Sequence, residues 1–142
     1  MDLDELIFDA LMADDNLVEA VGSRIESTCF EVSPDEKDNT QLPCIIVTDD
    51  GLVNQPSNKD SVWESNIDRV QASVEVDGRD PKEVKRLIRM VRRAVANRIT
   101  SLSSIGEETP YLVSTQTDGV AWDWVKPCFH GTITYVCEIF AV

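Results

Sequence analysis

Between Arg69 and Glu83, one short stretch of sequence constrains the fold more than any other. Val70, Ala72, Val74 and Val76 alternate with Gln71, Ser73, Glu75 and Asp77. A period of two puts the apolar set on one side of an extended chain, so the segment predicts a half-buried strand. The period then changes. Asp80 is suited to cap a helix, Pro81 to take its first position and Glu83 to complete the cap at the third. Val84, Leu87, Ile88, Val91, Ala94, Val95 and Ile99 recur at helical spacing and form one apolar stripe. Val74 and Val76 are therefore expected to pack against Leu87, Ile88 and Val91.

The flanking elements follow from the same patterns. Leu3, Leu6, Ile7, Ala10 and Leu11 share one face of an N-terminal helix, with Asp2 and Glu5 spaced as a capping box. Asp14 or Asp15 ends that helix and caps a second over Asn16–Val21, which Gly22 stops. Arg24 to Val32 reads as a strand, and the polar Ser33–Gln41 as a loop. Cys44-Ile45-Ile46-Val47-Thr48 follows Leu42-Pro43. It is apolar on both faces and predicts a central strand covered on both sides, ended by a turn at Asp49-Asp50-Gly51. Leu52 to Asn66 reads as a long excursion in a hairpin. Ser101 to Thr109 is a linker, and Tyr111–Thr117 and Gly131–Phe140 are strands, with Ile133, Tyr135, Cys137, Ile139 and Ala141 on one face. Asp118-Gly119 is a hairpin-type turn. The expected fold is α+β, one domain over residues 1–142, with an antiparallel or mixed sheet of about five strands and helices packed on one face.

Composition narrows the function classes. At 142 residues and 42% apolar content the chain can bury a core without staples. No apolar run approaches the roughly 20 residues that span a bilayer. Asp2, Asp4 and Glu5 stand where a secretory signal would carry bases. Cys29, Cys44, Cys128 and Cys137 form no C-x-x-C pair and sit among apolar or strand-forming residues, so they read as free thiols acting as small hydrophobes. The net charge of −13 is unevenly placed. From Lys82 to Ile99 seven basic residues face one acid, Glu83, leaving that stretch at +6 and the remainder at −19. Such a chain has no broad basic surface for nucleic acid.

Catalytic chemistry finds little to use. A nucleophilic site would depend on the single histidine, His130, which lies between Phe129 and Gly131 and reads as structural. The cysteine spacing does not make a zinc motif. Asp14-Asp15 serves as a helix cap and Asp49-Asp50 as a turn, and no phosphate-binding glycine loop is present. No catalytic, metal or cofactor-binding residue is therefore expected. Two features remain as interface candidates. One is the basic helix face, with Arg86, Arg89 and Arg93, whose bases lack i, i+4 acids on the same helix. The other is the tryptophans Trp63, Trp122 and Trp124. The helix face is either an ordinary solvated surface or one half of an inter-subunit pairing. The tryptophans either cover the core or contact another subunit.

The element order, with Leu11-Met12-Ala13-Asp14-Asp15-Asn16-Leu17-Val18-Glu19-Ala20-Val21-Gly22-Ser23-Arg24-Ile25, then Leu42-Pro43-Cys44-Ile45-Ile46-Val47, then Val70 to Asp77 leading into a helix, resembles the phage tail-terminator (tail-completion, minor tail protein U-like) family. The resemblance spans nearly the whole chain. It implies a non-enzymatic virion protein of the tail or neck, made in the cytoplasm of a bacterial host. Such a protein forms a homo-oligomeric ring, typically six-fold, that caps the tail tube, stops its growth and presents a joining surface to the head. The implied partners are the tail tube protein and a head-completion protein, with DNA passing through the lumen without specific binding and no membrane involved. The Leu52–Asn66 excursion is longer and more polar than the family pattern. A head-closure or stopper protein of the neck, and a small bacterial ligand-binding or enzymatic α+β domain, are the competing readings.

Overall fold

The computed structural model describes residues 2–22, 24–27, 42–54, 66–125 and 127–140. In order, these form α1 (Leu3–Met12), α2 (Asp15–Val21), β1 (Ile25–Ser27), β2 (Cys44–Asn54), β3 (Ile67–Gly78), α3 (Pro81–Ser104), β4 (Tyr111–Thr117), β5 (Ala121–Asp123) and β6 (Cys128–Phe140). The strands make one sheet in the order β1-β2-β3-β6-β4, with β5 also paired to β6. Among the described residues only the β1–β2 pairing is parallel; the others are antiparallel. The fold is thus α+β with a mixed sheet of six strands among the described residues.

Alternation along β3 and β6 builds the core. Val70, Ala72, Val74 and Val76 pair with Cys137, Tyr135, Ile133 and Gly131, and all point to the helix side. The stripe Val84, Leu87, Ile88, Val91, Ala94 and Val95 of α3 is buried against them in one cluster, as the change of period predicts. Gly131 is what allows this approach. A Cβ there would lie 2.6 Å from Ile88 Cδ1, too close for any real contact. α1 extends the same layer over β1, β2 and β3, and α2 packs on α1 and α3, together burying Leu3, Ile7, Ala10, Leu11, Leu17 and Val21.

The joints are specific. Asp14 Oδ1 accepts from the Leu17 N–H at 3.0 Å, and Gly22 closes α2 at φ 60°. Asp80 Oδ1 caps α3 through the Glu83 N–H at 2.9 Å, with Pro81 first in the helix. The Leu42–Pro43 corner, whose peptide bond is cis, is held by two arginines. Arg24 Nε donates to the Pro43 carbonyl at 2.9 Å, and Arg79 donates to the Leu42 carbonyl.

Several sequence expectations are corrected. Asp2 adopts the N-cap backbone, but its side chain makes no capping hydrogen bond. The Asp49-Asp50-Gly51 turn is a bulge inside β2: Asp49 Oδ1 accepts from the Gly51 N–H at 2.8 Å and Gly51 sits at φ 100°. A carboxylate next to a glycine serves a bulge as well as a turn, because both need the same local hydrogen bond and positive φ. β2 therefore continues through Leu52, Val53 and Asn54, which pair with Val70, Arg69 and Asp68 and are not part of an excursion. β2 is also not covered on both sides, since Ile46 and Thr48 are only half-buried. The first four residues of the expected Ser101–Thr109 linker are helical, α3 running to Ser104 before Gly106 breaks it at φ 78°. Asp118-Gly119 does not join a hairpin. β4 and β5 lie end to end along β6, and the reversal falls after Asp123. The strand reading beyond Ser27, the Ser33–Gln41 loop, residues 55–65 of the excursion, and Ala141 lie outside the described residues.

The packing predicts a steep contrast along α3. Leu87→Ala removes a fully buried side chain from the sheet contact and should cost about 2–5 kcal/mol. Arg86→Ala, one residue away and exposed, should stay within about 0.5 kcal/mol. Urea unfolding of the two variants beside the parent protein measures the difference.

Candidate assembly surface

α3 is about 36 Å long at 1.5 Å per residue, and its two sides differ in kind. The stripe is spent on the sheet, while Lys82, Lys85, Arg86, Arg89, Arg92 and Arg93 are exposed. Among the described residues none of these six is ion-paired. The sheet does not end where α3 ends. β4 lies beyond β6 and its residues are exposed on both faces, apart from the half-buried Thr115. The space between α3 and this edge strand is a groove of about 390 Å³. Its floor is apolar: Leu3 and Ile7 from α1, Ile99 from α3, Leu112 from β4 and Cys137 from β6. Its rim is Arg89, Arg92 and Arg93.

Tyr135 lines the same groove. Its side chain is 5% exposed and its hydroxyl has no hydrogen-bond partner. Burial pushes the phenol up to about 12, against the pull of the nearby Arg92 guanidinium. Burial likewise raises the neighbouring Cys137 thiol to about 11. A buried hydroxyl without a partner is costly, and here it interrupts the apolar floor beneath the arginine rim.

Two other apolar surfaces lie at opposite ends of the sheet. At one end Ile67 and Phe140 pair across β3 and β6, and with Tyr111 they border a common depression; all three are exposed. At the other, Trp122 stacks edge-on against Phe129 and Trp124, with centroids 5.0 and 5.9 Å apart. Trp124 and Val125 are largely exposed there, at 87% and 77%.

On the face of the sheet away from the helices, Cys44, Asp77 and His130 stand in one register row. Cys44 Sγ lies 3.8 Å from Asp77 Oδ2, and Cys44 and Cys128 pack with Leu42 as a small buried cluster. His130 Nδ1 is 3.6 Å from Asp123 Oδ2. Cys44, Cys128 and Cys137 are free thiols and buried, as expected; Cys29 lies outside the described residues. Among the described residues no group of three or more His, Cys, Asp or Glu side chains is placed to hold a metal ion. Among them, too, no helix is long and apolar enough to cross a membrane.

The structure separates the residues that the sequence offered together. Arg89 and Arg93 share the groove; Arg86 is exposed on α3 but does not line it. Trp122 and Trp124 sit at the far end of the sheet, and Trp63 lies outside the described residues. Sequence reasoning missed Tyr135 and Leu112 as groove residues. The strand pattern placed Tyr135 on the core face, but only the sheet order makes it the last covered row before an open edge.

No protein-family model matches this chain, and no curated protein matches it in sequence. Its fold is similar to that of a chain from the virion of a native gene transfer agent particle, with a TM-score of 0.54 at 10% identity. The match covers 99% of this chain and 96% of that one. At that identity the likeness is one of fold.

The buried phenol predicts an alkaline limit to stability. Tyr135 and Cys137 hold their protons more tightly when folded than unfolded, so stability is full below about pH 9 and falls as pH rises toward 12. Above pH 10 the Tyr135 share amounts to about 1.4 kcal/mol per pH unit. Tyr135→Phe should flatten that upper part of the profile, as read from urea midpoints between pH 8 and 11.

Proposed function

We propose that this protein, a single domain over residues 1–142, is a structural component of a virion that acts by assembling and not by catalysis. The observation that carries the reading is the end-to-end fold match to a virion chain. The sequence resemblance to phage tail-terminator proteins points the same way and gives the finer role. In that role six copies close into a ring that caps the tail tube, stops its growth and offers the head a joining surface.

The surfaces suit the task. A ring closes through heterologous contacts, which use two different patches of one chain. A capping ring then needs two further surfaces, one toward the tube and one toward the head-completion protein. The exposed Ile67–Tyr111–Phe140 end and the Trp122–Trp124 end of the sheet supply two such surfaces, facing opposite ways along the strands. Aromatic residues of this kind are enriched where proteins meet. Arg86, Arg89 and Arg93 are the proposed lateral contacts, with Trp122 and Trp124 toward an axial partner.

Charge fits a conduit better than a DNA-binding module. Six copies at −13 each carry −78. Phosphate passing through such a ring finds few cations to pair with and does not stick.

Size-exclusion chromatography with light scattering tests the reading, and a closed oligomer of defined mass is the expected result. Exposed ion pairs contribute roughly 0–1 kcal/mol each and are screened by salt, so the ring should loosen as ionic strength rises. A chain that stays monomeric up to millimolar concentration would end the assembly reading. His130→Ala should leave the oligomer unchanged. Loss of assembly in that variant with the fold intact would return His130 to consideration as a functional residue.

A further inference from the structure

The helical layer is divided by charge. Residues 2–22, which make α1, α2 and their caps, contain seven carboxylates and no basic residue. Asp9, Met12, Asp15 and Glu19 are exposed on them. α1 packs over β1, β2 and β3 and beside α3, which lies over β3 and β6, and α2 packs on α1 and α3. Leu3 and Ile7 at the start of α1 reach the groove, but Asp9, Met12, Asp15 and Glu19 do not line it. The acidic surface and the basic groove are therefore two separate patches of one molecule. A second copy can bring its acidic patch to the basic groove of the first.

We propose that the groove lined by Arg89, Arg92, Arg93, Leu112, Thr115 and Tyr135 receives the acidic α1–α2 surface of a second copy of this chain. This inference rests on the assembly reading above and locates its lateral contact. A carboxylate seated over Tyr135 accepts the phenol hydrogen bond that the isolated chain leaves unmade, and it sits among three guanidiniums. An apolar side chain such as Met12 covers Leu112 and Ile99, which the isolated chain leaves partly in water. The same contact covers β4, whose two exposed faces are otherwise an open sheet edge. Because the two patches differ, the contact propagates head to tail and does not close a two-fold dimer.

Two variants and their mixture test it. Arg89→Glu with Arg93→Glu reverses the groove, and Asp9→Arg with Glu19→Arg reverses the acidic patch. All four residues are exposed, and circular dichroism checks that each variant keeps its fold. Each variant alone should self-associate at least about tenfold more weakly than the parent, by sedimentation velocity, because like charges then meet at every contact. An equimolar mixture should recover assembly. In it the acidic side of the first variant meets the intact groove of the second, and the basic side of the second meets the reversed groove of the first. If the parent assembles and either variant assembles equally well, this contact is wrong while the assembly reading stands. If both variants fail and their mixture also fails, both patches are needed but do not meet each other, and the proposal is overturned. A parent that does not associate removes the assembly reading and this contact with it.

Discussion

The contact of α3 with the β3–β6 pair is what the rest of the molecule depends on. Val74 and Val76 on one strand, Ile133 and Gly131 on its neighbour, and Leu87, Ile88 and Val91 on the helix form one buried layer. Each fully buried aliphatic side chain contributes about 1.5–3 kcal/mol relative to exposure. Gly131 sets how closely the helix approaches, because any side chain there meets Ile88. With the sheet-facing stripe committed, the opposite side of the helix is necessarily in water, and in this chain that side is arginine and lysine. The basic surface is thus a consequence of the core contact as much as of composition.

The sheet order turns that surface into a site. If β4 lay inside the sheet, α3 would meet a flat covered floor and its arginines would be an ordinary solvated face. With β4 at the edge, beyond the reach of α3, the helix overhangs an open strand and leaves Tyr135 buried without a hydrogen bond. Open strand edges invite pairing, and proteins normally blunt or cover them. Here the edge is covered by neither a helix nor a strand among the described residues. An assembling protein is a setting in which that arrangement is stable, since the neighbour completes the layer.

Much of the fold was legible from local rules. The caps at Asp14 and Asp80, the stops at Gly22 and the stripe of α3 depend on residues three or four apart, and they appear as read. The failures share a cause. Asp49-Asp50-Gly51 and Asp118-Gly119 carry turn chemistry, but whether such chemistry reverses a chain or interrupts a strand depends on what lies across the ladder. At Gly51 the partner strand β3 continues, so the chain bulges. At Asp118-Gly119 β6 continues, so β4 resumes as β5. Of the interface candidates, Arg89 and Arg93 reach the groove and Trp122 and Trp124 do not, because sequence spacing reports the face of a helix or strand and not which edge of the sheet lies beside it.

By itself, then, the sequence determined the α+β class, the strand–helix unit at residues 69–99, the free buried cysteines and the imbalance between a +6 helix and a −19 remainder. Those properties follow from periodicity and composition, which act over a few residues or over the whole chain without regard to shape. Only the tertiary structure decided that β4 is an edge, that Tyr135 borders a groove with Arg92, and that the exposed acids Asp9, Asp15 and Glu19 stay out of that groove. Each of these depends on which strands pair, and strand pairing is chosen by contacts between residues far apart in the chain, where no local period carries the information.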